Sequence, residues 1–370
     1  MNNVPQSKAR QRIRVMIVED SRPVRQMLEY IIGNDPRLEV AESVGSAEEA
    51  LLKLNQVSPD VISMDIRLPG MNGFEATQRI MAEKPTPIVV VSASVESEEL
   101  NISMNALRAG ALSVMEKPVN TSHQHYAELA ERLCTQLVIM SEVRVIRQRV
   151  RRNIGLRPSQ AAGNVTHSAA IKTPAHGVLR AIGIVASTGG PNALVKVLGG
   201  LGSSVAAPLL VVQHITPSFL KGFVTWLNGI SPMPVVEAVD GQLPEAGTVY
   251  VAPADQHLVV DRGGCLRMDN GSPVCVQRPS GTVLFQSMAR NFGAHCLGVL
   301  LTGMGEDGAA GLRDIRHAGG YTIAEDETTA VVYGMPAAAV NMGAVCESLP
   351  LDEIAPRILE IASNSEVLNR

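Results

Sequence analysis

A serine, a histidine and an aspartate, each standing where an apolar run ends, are the residues of this chain best placed to do chemistry. Ser187 lies in Ile184-Val185-Ala186-Ser187-Thr188-Gly189-Gly190-Pro191. Ahead of it, Ala181-Ile182-Gly183-Ile184-Val185 has the composition of a buried parallel strand. Behind it, Pro191 to Leu198 has helical spacing, with Pro191 where a first-turn proline is tolerated. Gly189 and Gly190 permit a tight turn, so the hydroxyl stands beside the N–H groups that open a helix. That placement suits a nucleophile and the oxyanion it creates. A plain glycine turn and a phosphate loop are the competing readings. The stretch lacks the Lys-Ser/Thr ending of a Walker loop and the G-x-G-x-x-G spacing, so nucleotide binding is poorly supported.

A serine hydroxyl is a weak nucleophile; it needs a base, and the base needs an orienting partner. Leu209-Leu210-Val211-Val212-Gln213-His214 brings an imidazole out of an apolar strand, just ahead of Thr216-Pro217. Val299-Leu300-Leu301 runs into Thr302-Gly303-Met304-Gly305-Glu306-Asp307-Gly308, a glycine-rich loop that carries acids and opens a helix. Ser187, His214 and Asp307 at the carboxyl ends of three strands meet the demands of one shared site. His257, after Ala252-Pro253-Ala254-Asp255-Gln256, is the alternative base. His295 begins a strand and reads as structural, and His317 falls on a helix face. His123, His125, His167 and His176 lie outside the core pattern of this half. Glu306, Asp240 and Asp326 stay open as alternative acids.

A second constellation occupies the first third of the chain. Glu19 and Asp20 follow one strand candidate, and Asp65, Ser92 and Lys117-Pro118 follow three others. Open α/β sheets bind ligands at the carboxyl edge of their strands. Three carboxylates meeting there repel one another unless a hard cation sits among them, and Mg²⁺ with oxygen ligands fits. A lysine and a hydroxyl alongside hold the oxygens of a phosphoryl group. Ordinary solvated loop residues are the competing reading, which the gathering of all five at one edge disfavours.

The elements that must position these residues alternate in type. Strand candidates Ile13–Val18, Leu38–Val44, Val61–Met64, Ile88–Val91 and Leu112–Met115 are separated by helical patterns, one opened by Ser46-Ala47-Glu48-Glu49 in capping-box spacing. A doubly wound parallel sheet is expected there. From Val178 the alternation resumes, with strands expected at Leu179–Val185, Pro208–Val212, Val235–Val239, Val249–Ala252, Leu258–Val260, Cys296–Leu301, Tyr321–Ala324 and Ala344–Cys346. Gly263-Gly264 reads as the turn of a hairpin appended to that second sheet. The chain is therefore expected to be α/β, with one domain over 12–134, a connector over 135–177 and a second domain over 178–370. In the connector, Val143, Ile146, Val150 and Ile154 mark one helical stripe, while Arg144, Arg147, Arg149, Arg151 and Arg152 crowd the other faces. That basic run reads as a solvated face, with docking of an acidic partner as the alternative. Pro158, Ser159, Gly163, Thr173 and Pro174 then mark a flexible linker.

Composition narrows the function classes. The 370 residues are 45% hydrophobic and 18% charged, as expected of a soluble globular chain of about two or three domains. A net charge of -4 gives no reason to expect nucleic acid or an anionic membrane as partner. No apolar run approaches the ~18 residues that a membrane span needs. Lys8, Arg10, Arg12 and Arg14 have no signal-peptide core behind them, so a cytoplasmic location is expected. The five cysteines form no C-x-x-C pair and read as buried reduced thiols, which disfavours a structural zinc site.

The first domain resembles a response-regulator receiver domain, flavodoxin-like in fold. The resemblance is carried by Val18-Glu19-Asp20-Ser21, Met64-Asp65-Ile66-Arg67-Leu68-Pro69-Gly70-Met71-Asn72-Gly73, Val91-Ser92-Ala93 and Glu116-Lys117-Pro118. It implies that Asp65 is the phosphoacceptor, served by a histidine kinase as phosphoryl donor. It implies Mg²⁺ bound by Glu19, Asp20, Asp65 and the backbone just after Asp65, with Ser92 as switch hydroxyl and Lys117 as phosphate clamp. The chain departs from many receivers at Val114, where a switch aromatic often stands.

The second domain is similar to CheB-type protein-glutamate methylesterases, a Rossmann-like fold. The matching blocks are Ser187-Thr188-Gly189-Gly190-Pro191, Val212-Gln213-His214, Thr302 to Gly308, and Asp326-Glu327-Thr328-Thr329-Ala330-Val331-Val332-Tyr333-Gly334-Met335-Pro336. Their order, Ser…His…Asp, is not that of the α/β-hydrolases. The resemblance implies Ser187 as nucleophile, His214 as general base and then acid, Asp307 as its orienter, and Thr188 with the Met304 backbone as the oxyanion site. It implies hydrolysis of γ-glutamyl methyl esters on methylated chemotaxis receptors, with deamidation of some receptor glutamines. No metal is needed in this domain, and the receiver is expected to obstruct the cleft until phosphorylated. In Arg278-Pro279-Ser280-Gly281-Thr282 the family usually has an acid in place of Thr282. Two other functions fit the same residues: an esterase or amidase serving a protein of a non-chemotactic pathway, and a catalytically idle binding module under receiver control.

Overall fold

Short β-branched runs alternate with amphipathic stretches, and most of these runs become parallel strands packed beneath helices. In a computed structural model, residues 12–92, 106–107, 110–118, 123–143, 179–203 and 205–367 are described. The chain divides into two units, Met1–Arg149 and Val150–Arg370. The basic run from Arg144 and the glycine- and proline-containing stretch to Val178, with His167 and His176, lie outside the described residues.

In the first unit, β1 (Ile13–Val18), β2 (Leu38–Val44), β3 (Val61–Met64), β4 (Ile88–Ser92) and β5 (Ser113–Glu116) form a sheet of order β2-β1-β3-β4-β5. Every neighbouring pair is parallel. Among the described residues, four helices accompany it: α1 (Arg22–Asn34), α2 (Ala47–Val57), α3 (Gly73–Glu83) and α4 (His123–Ser141). The expected cap forms on α2, where the Ser46 hydroxyl accepts from the Glu49 N–H at 3.2 Å. The strand order reverses between β1 and β3, and there the crevice of a doubly wound sheet opens.

The second unit is larger. Its elements are β6 (Ala181–Ala186), α5 (Gly190–Leu201), β7 (Leu209–Gln213), α6 (Pro217–Ile230), β8 (Val235–Glu237) and β9 (Val249–Val251). There follow β10 (His257–Val260), β11 (Leu266–Asp269), α7 (Gly281–Phe292), β12 (Cys296–Leu300), α8 (Ala309–His317) and β13 (Tyr321–Glu325). The chain closes with α9 (Met335–Asn341), β14 (Glu347–Leu349) and α10 (Leu351–Val367). Seven strands form an all-parallel sheet of order β14-β13-β12-β6-β7-β9-β8, while β10 and β11 pair antiparallel across the Gly263-Gly264 turn. The central strand β6 has β7 on one side and β12 on the other, so the order reverses at the strand that leads into Ser187.

Close packing explains two glycines in that sheet. A Cβ on Gly183 would lie 2.7 Å from Met288 Sδ, and one on Gly298 would lie 2.6 Å from Leu312 Cδ1. Helix α7 thus lays buried Leu284, Phe285 and Met288 against the centre of the sheet. Each such side chain, fully buried, contributes roughly 1.5–3 kcal/mol. The same helix ties down the hairpin, because Ser287 Oγ accepts from the Val260 N–H at 3.0 Å.

Some expected boundaries shift. The strand expected at Ala344–Cys346 begins instead at Glu347. Ala344 is buried by closing α9, its N–H donating to Ala339 at 2.9 Å, so its apolar character reports packing rather than a ladder. Pro208 has no N–H to give a ladder, and β7 starts at Leu209. At the other end of a strand, β13 runs one residue past its apolar stretch to include Glu325, which is fully buried.

Candidate functional site

Ser187 leaves β6 at the switch point, held between the two neighbouring strand ends. Its N–H donates to Thr302 at 3.0 Å on the β12 side. On the β7 side, the His214 N–H donates to Ala186 at 3.0 Å. The turn depends on glycine at Gly189, whose φ of 79° is left-handed and whose added Cβ would meet Val331 at 2.6 Å. Gly303 lies against the serine itself: a Cβ there would be 2.7 Å from Ser187 Cβ.

His214 and Asp307 meet although 93 positions separate them, with His214 Nε2 and Asp307 Oδ2 2.9 Å apart. Asp307 is buried and receives further donors from the N-terminus of α7. Oδ1 accepts from Ser280 Oγ at 2.6 Å and the Thr282 N–H at 3.1 Å, and Oδ2 accepts from the Gly281 N–H at 2.6 Å. Burial pushes this carboxyl's pKa up, but bonds from His214, Ser280 and Thr282 outweigh it and bring it down to about 2. The acid is therefore charged at neutral pH and able to stabilise an imidazolium. With Nε2 turned to Asp307, His214 Nδ1 is buried with no hydrogen-bond partner, a lone pair free to take a proton. Neither ring nitrogen holds Ser187 Oγ, and catalytic pairs of this kind often close only around substrate.

The alternatives separate clearly. His257 is not available as a base: Nδ1 accepts from the Ser280 N–H at 3.1 Å, and Nε2 lies 3.1 Å from the Ser272 carbonyl. It is a buried strut under the α7 N-terminus. Glu306 is exposed, Asp240 is exposed and accepts from the Met268 N–H, and Asp326 caps its own turn through Thr328 and Thr329. His295 closes a short 3-10 turn before β12, and His317 ends α8 exposed. Thr188 is half-buried beside Ser187, and Met304, next to Gly303, is half-exposed.

Four residues take part in the site without a role legible in the sequence. Ser280 and Gly281 hold Asp307; a serine ahead of a helical pattern signals an N-cap, but not which carboxylate it will meet. Thr282, marked only as a departure from the family, donates its N–H to Asp307 while its Oγ1 accepts from the Gly308 N–H at 2.8 Å. Glu325 accepts from the Thr302 N–H at 2.9 Å, one peptide away from the carbonyl that holds Ser187. Burial above all pushes the Glu325 carboxyl up to about 7. An acid ending the run Tyr321-Thr322-Ile323-Ala324 was the available signal for it.

In the first unit, Glu19, Asp20 and Asp65 each turn a carboxylate oxygen into one cluster, all within 4.8 Å. Lys117 Nζ lies 2.6 Å from Glu19 Oε2 and 2.8 Å from Asp65 Oδ2. Burial raises both carboxyls, and for Glu19 the Asp65 charge adds to it, while Lys117 opposes the rise in each. Three carboxylates against one ammonium leave an excess of negative charge among hard oxygen donors, which fits Mg²⁺. Ser92 is buried at the end of β4, its carbonyl accepting from the Lys117 N–H at 2.9 Å. Val114, half-buried on β5, pairs in register with Val90.

The cysteines depart in part from expectation. All five are free thiols; Cys134 and Cys296 are buried, whereas Cys275 is exposed on a turn. No helix among the described residues is long and apolar enough to cross a membrane.

Comparison with known proteins matches a family to each of the two units. A family model described as CheB methylesterase matches residues 182–358, and one described as response regulator receiver domain matches residues 15–127. A protein-glutamate methylesterase/protein-glutamine glutaminase of Paramagnetospirillum magneticum is 54% identical over 357 residues, covering 96% of this chain and 99% of the relative. One from Anaeromyxobacter dehalogenans is 42% identical over 347 residues, covering 94% and 98%. The crystal structure of the Thermotoga maritima CheB methylesterase catalytic domain aligns with a TM-score of 0.48 at 34% identity, over 50% of this chain and 98% of that one.

Proposed function

The chain belongs to the CheB methylesterase family and carries a receiver domain ahead of the esterase, and from that premise we propose that it is a phosphorylation-activated protein-glutamate methylesterase. Its substrates are γ-glutamyl methyl esters of chemotaxis receptors, and it also deamidates receptor glutamines. The working division is a receiver over 12–134, a connector over 135–177 and the catalytic domain over 178–370, all cytoplasmic. The observation that carries the reading is the ionised, buried Asp307 bonded to His214 at 2.9 Å, with the other imidazole nitrogen free, beside Ser187 at the switch point.

In this reading Ser187 Oγ attacks the ester carbonyl while His214 takes its proton. The oxyanion is held by Thr188 and the Met304 backbone. His214 then protonates the departing methoxide, releasing methanol and leaving Ser187 acylated. Water, deprotonated by the same imidazole, cleaves the acyl-enzyme to the free glutamate and returns the proton to Ser187. Asp307 keeps the ring oriented and offsets its transient positive charge. With an amide, ammonia leaves in place of methanol.

In the receiver, Asp65 accepts the phosphoryl group from a histidine kinase, with Glu19, Asp20 and Asp65 as the Mg²⁺ ligands. Bound Mg²⁺ supplies charge neutralisation for the phosphoryl oxygens. Lys117 and Ser92 hold those oxygens afterwards, and the receiver restrains the esterase until that happens. The direct test is methanol release from a methylated receptor. Wild type should release it and Ser187→Ala should not. Equal, background release by both would establish an idle binding module. A silent receptor assay in which Ser187 still reacts with an esterase probe would move the enzyme to another pathway.

A further inference from the structure

The geometry points to Gln213 as a positioning residue that clamps the nucleophile segment to the base segment, an inference that rests on the serine-esterase reading above. Gln213 is the last residue of β7 and pairs in register with Ala186, the residue before Ser187. Its side chain is buried and folds back across the strand ends. Nε2 donates to the Ser187 carbonyl at 2.8 Å and to the His214 carbonyl at 3.0 Å. Both hydrogens of one amide are thus spent on the two residues whose separation governs proton transfer. Only a nitrogen can face two carbonyl oxygens, which fixes the orientation of the amide.

Two further observations show that the position is built around this amide. Gln213 Oε1 is buried with no hydrogen-bond partner, so a polar atom is left uncompensated so that the donors can reach. The room for it comes from Gly190, where an added Cβ would collide with Gln213 Oε1. The Ser187 carbonyl also accepts from the Gly190 N–H at 2.8 Å, so the clamp bears on the first turn of α5 as well. Displacing a reacting atom by about 1 Å can slow a reaction roughly 100-fold, so a clamp of this kind acts on rate rather than on substrate binding.

The test compares wild type, Gln213→Met and Gln213→Glu as full-length proteins. The readouts are kcat and KM for methyl-ester hydrolysis and the rate at which a fluorophosphonate labels Ser187. Gln213→Met keeps length and removes both donors. It should lower kcat and the labelling rate together by about 10-fold or more with KM unchanged. Gln213→Glu turns a second oxygen toward the two carbonyls and should label more slowly still. Protonation of that carboxyl returns one O–H donor, so its labelling rate relative to wild type should rise as pH falls. Wild-type kcat and labelling in Gln213→Met would overturn the inference. Should that variant fail to fold, a ratio for Gln213→Glu that is flat with pH would overturn it instead. Loss of labelling in Ser187→Ala confirms the probe's target, and labelling that persists there overturns the esterase reading beneath the inference.

Discussion

Asp307 and Glu325 are buried carboxyls in the same unit, and their pKa values move in opposite directions because their partners differ. Asp307 receives donors from Ser280, Gly281, Thr282 and His214, whereas Glu325 has the Thr302 N–H and an Oε1 with no partner. Asp307, depressed to about 2 from 3.8, contributes stability that is present above pH 3.8 and lost as pH falls toward 2. Glu325, raised from 4.5 to about 7, works the other way. Its stabilisation is complete below pH 4.5 and is lost as pH rises through 7, a swing of roughly 3 kcal/mol. Glu325→Gln keeps an acceptor for Thr302 and removes the titration. Its melting temperature should therefore fall less than that of wild type between pH 5 and 8, as followed by circular dichroism. Parallel pH profiles for the two proteins would show that Glu325 does not titrate in that window.

At the scale of elements, the N-terminus of α7 anchors the acid of the site. Three α7-end residues hold the Asp307 carboxylate, and Thr282 Oγ1 also accepts from Gly308, the residue after Asp307. A hydroxyl at 282 does this without placing a second negative charge beside Asp307. Thr282→Val preserves shape but leaves the Gly308 N–H buried and unpaired, which costs about 1–3 kcal/mol. Denaturant unfolding should register that loss, and ester hydrolysis should slow with it as the Asp307 loop loosens. Thr282→Ser should restore most of both. Unchanged stability in Thr282→Val would mean that the Gly308 N–H finds another acceptor.

For the whole molecule, the proposed function sets one α/β unit in control of the other. A small-molecule phosphoryl donor with Mg²⁺ should raise the rate of methanol release several-fold, and Asp65→Asn should abolish the increase while retaining basal hydrolysis. An increase that survives in Asp65→Asn would remove Asp65 as the point of control. Val114 places no aromatic on β5, so any signal that leaves the phosphorylated crevice travels without a switch ring at that position.

The sequence by itself determined the alternation of strands and helices, the two units it builds, and the residues that stand at strand ends. Periodicity and glycine turns are local properties, and Ser187, His214, Asp65 and Lys117 could be located from them. Boundaries were less legible where an apolar residue served packing, as at Ala344, or where a charged one extended a strand, as at Glu325. Only the tertiary structure decided which of the candidate partners meet. His257 stood behind His214 as the second choice of base, and both of its ring nitrogens proved to be turned toward backbone groups. Gln213, Ser280 and Thr282 carried no local mark of their part in the site. Their bonds to Ser187 and Asp307 join segments about 25 positions apart, and such bonds are set by how strands and helices pack, which no spacing along the chain encodes.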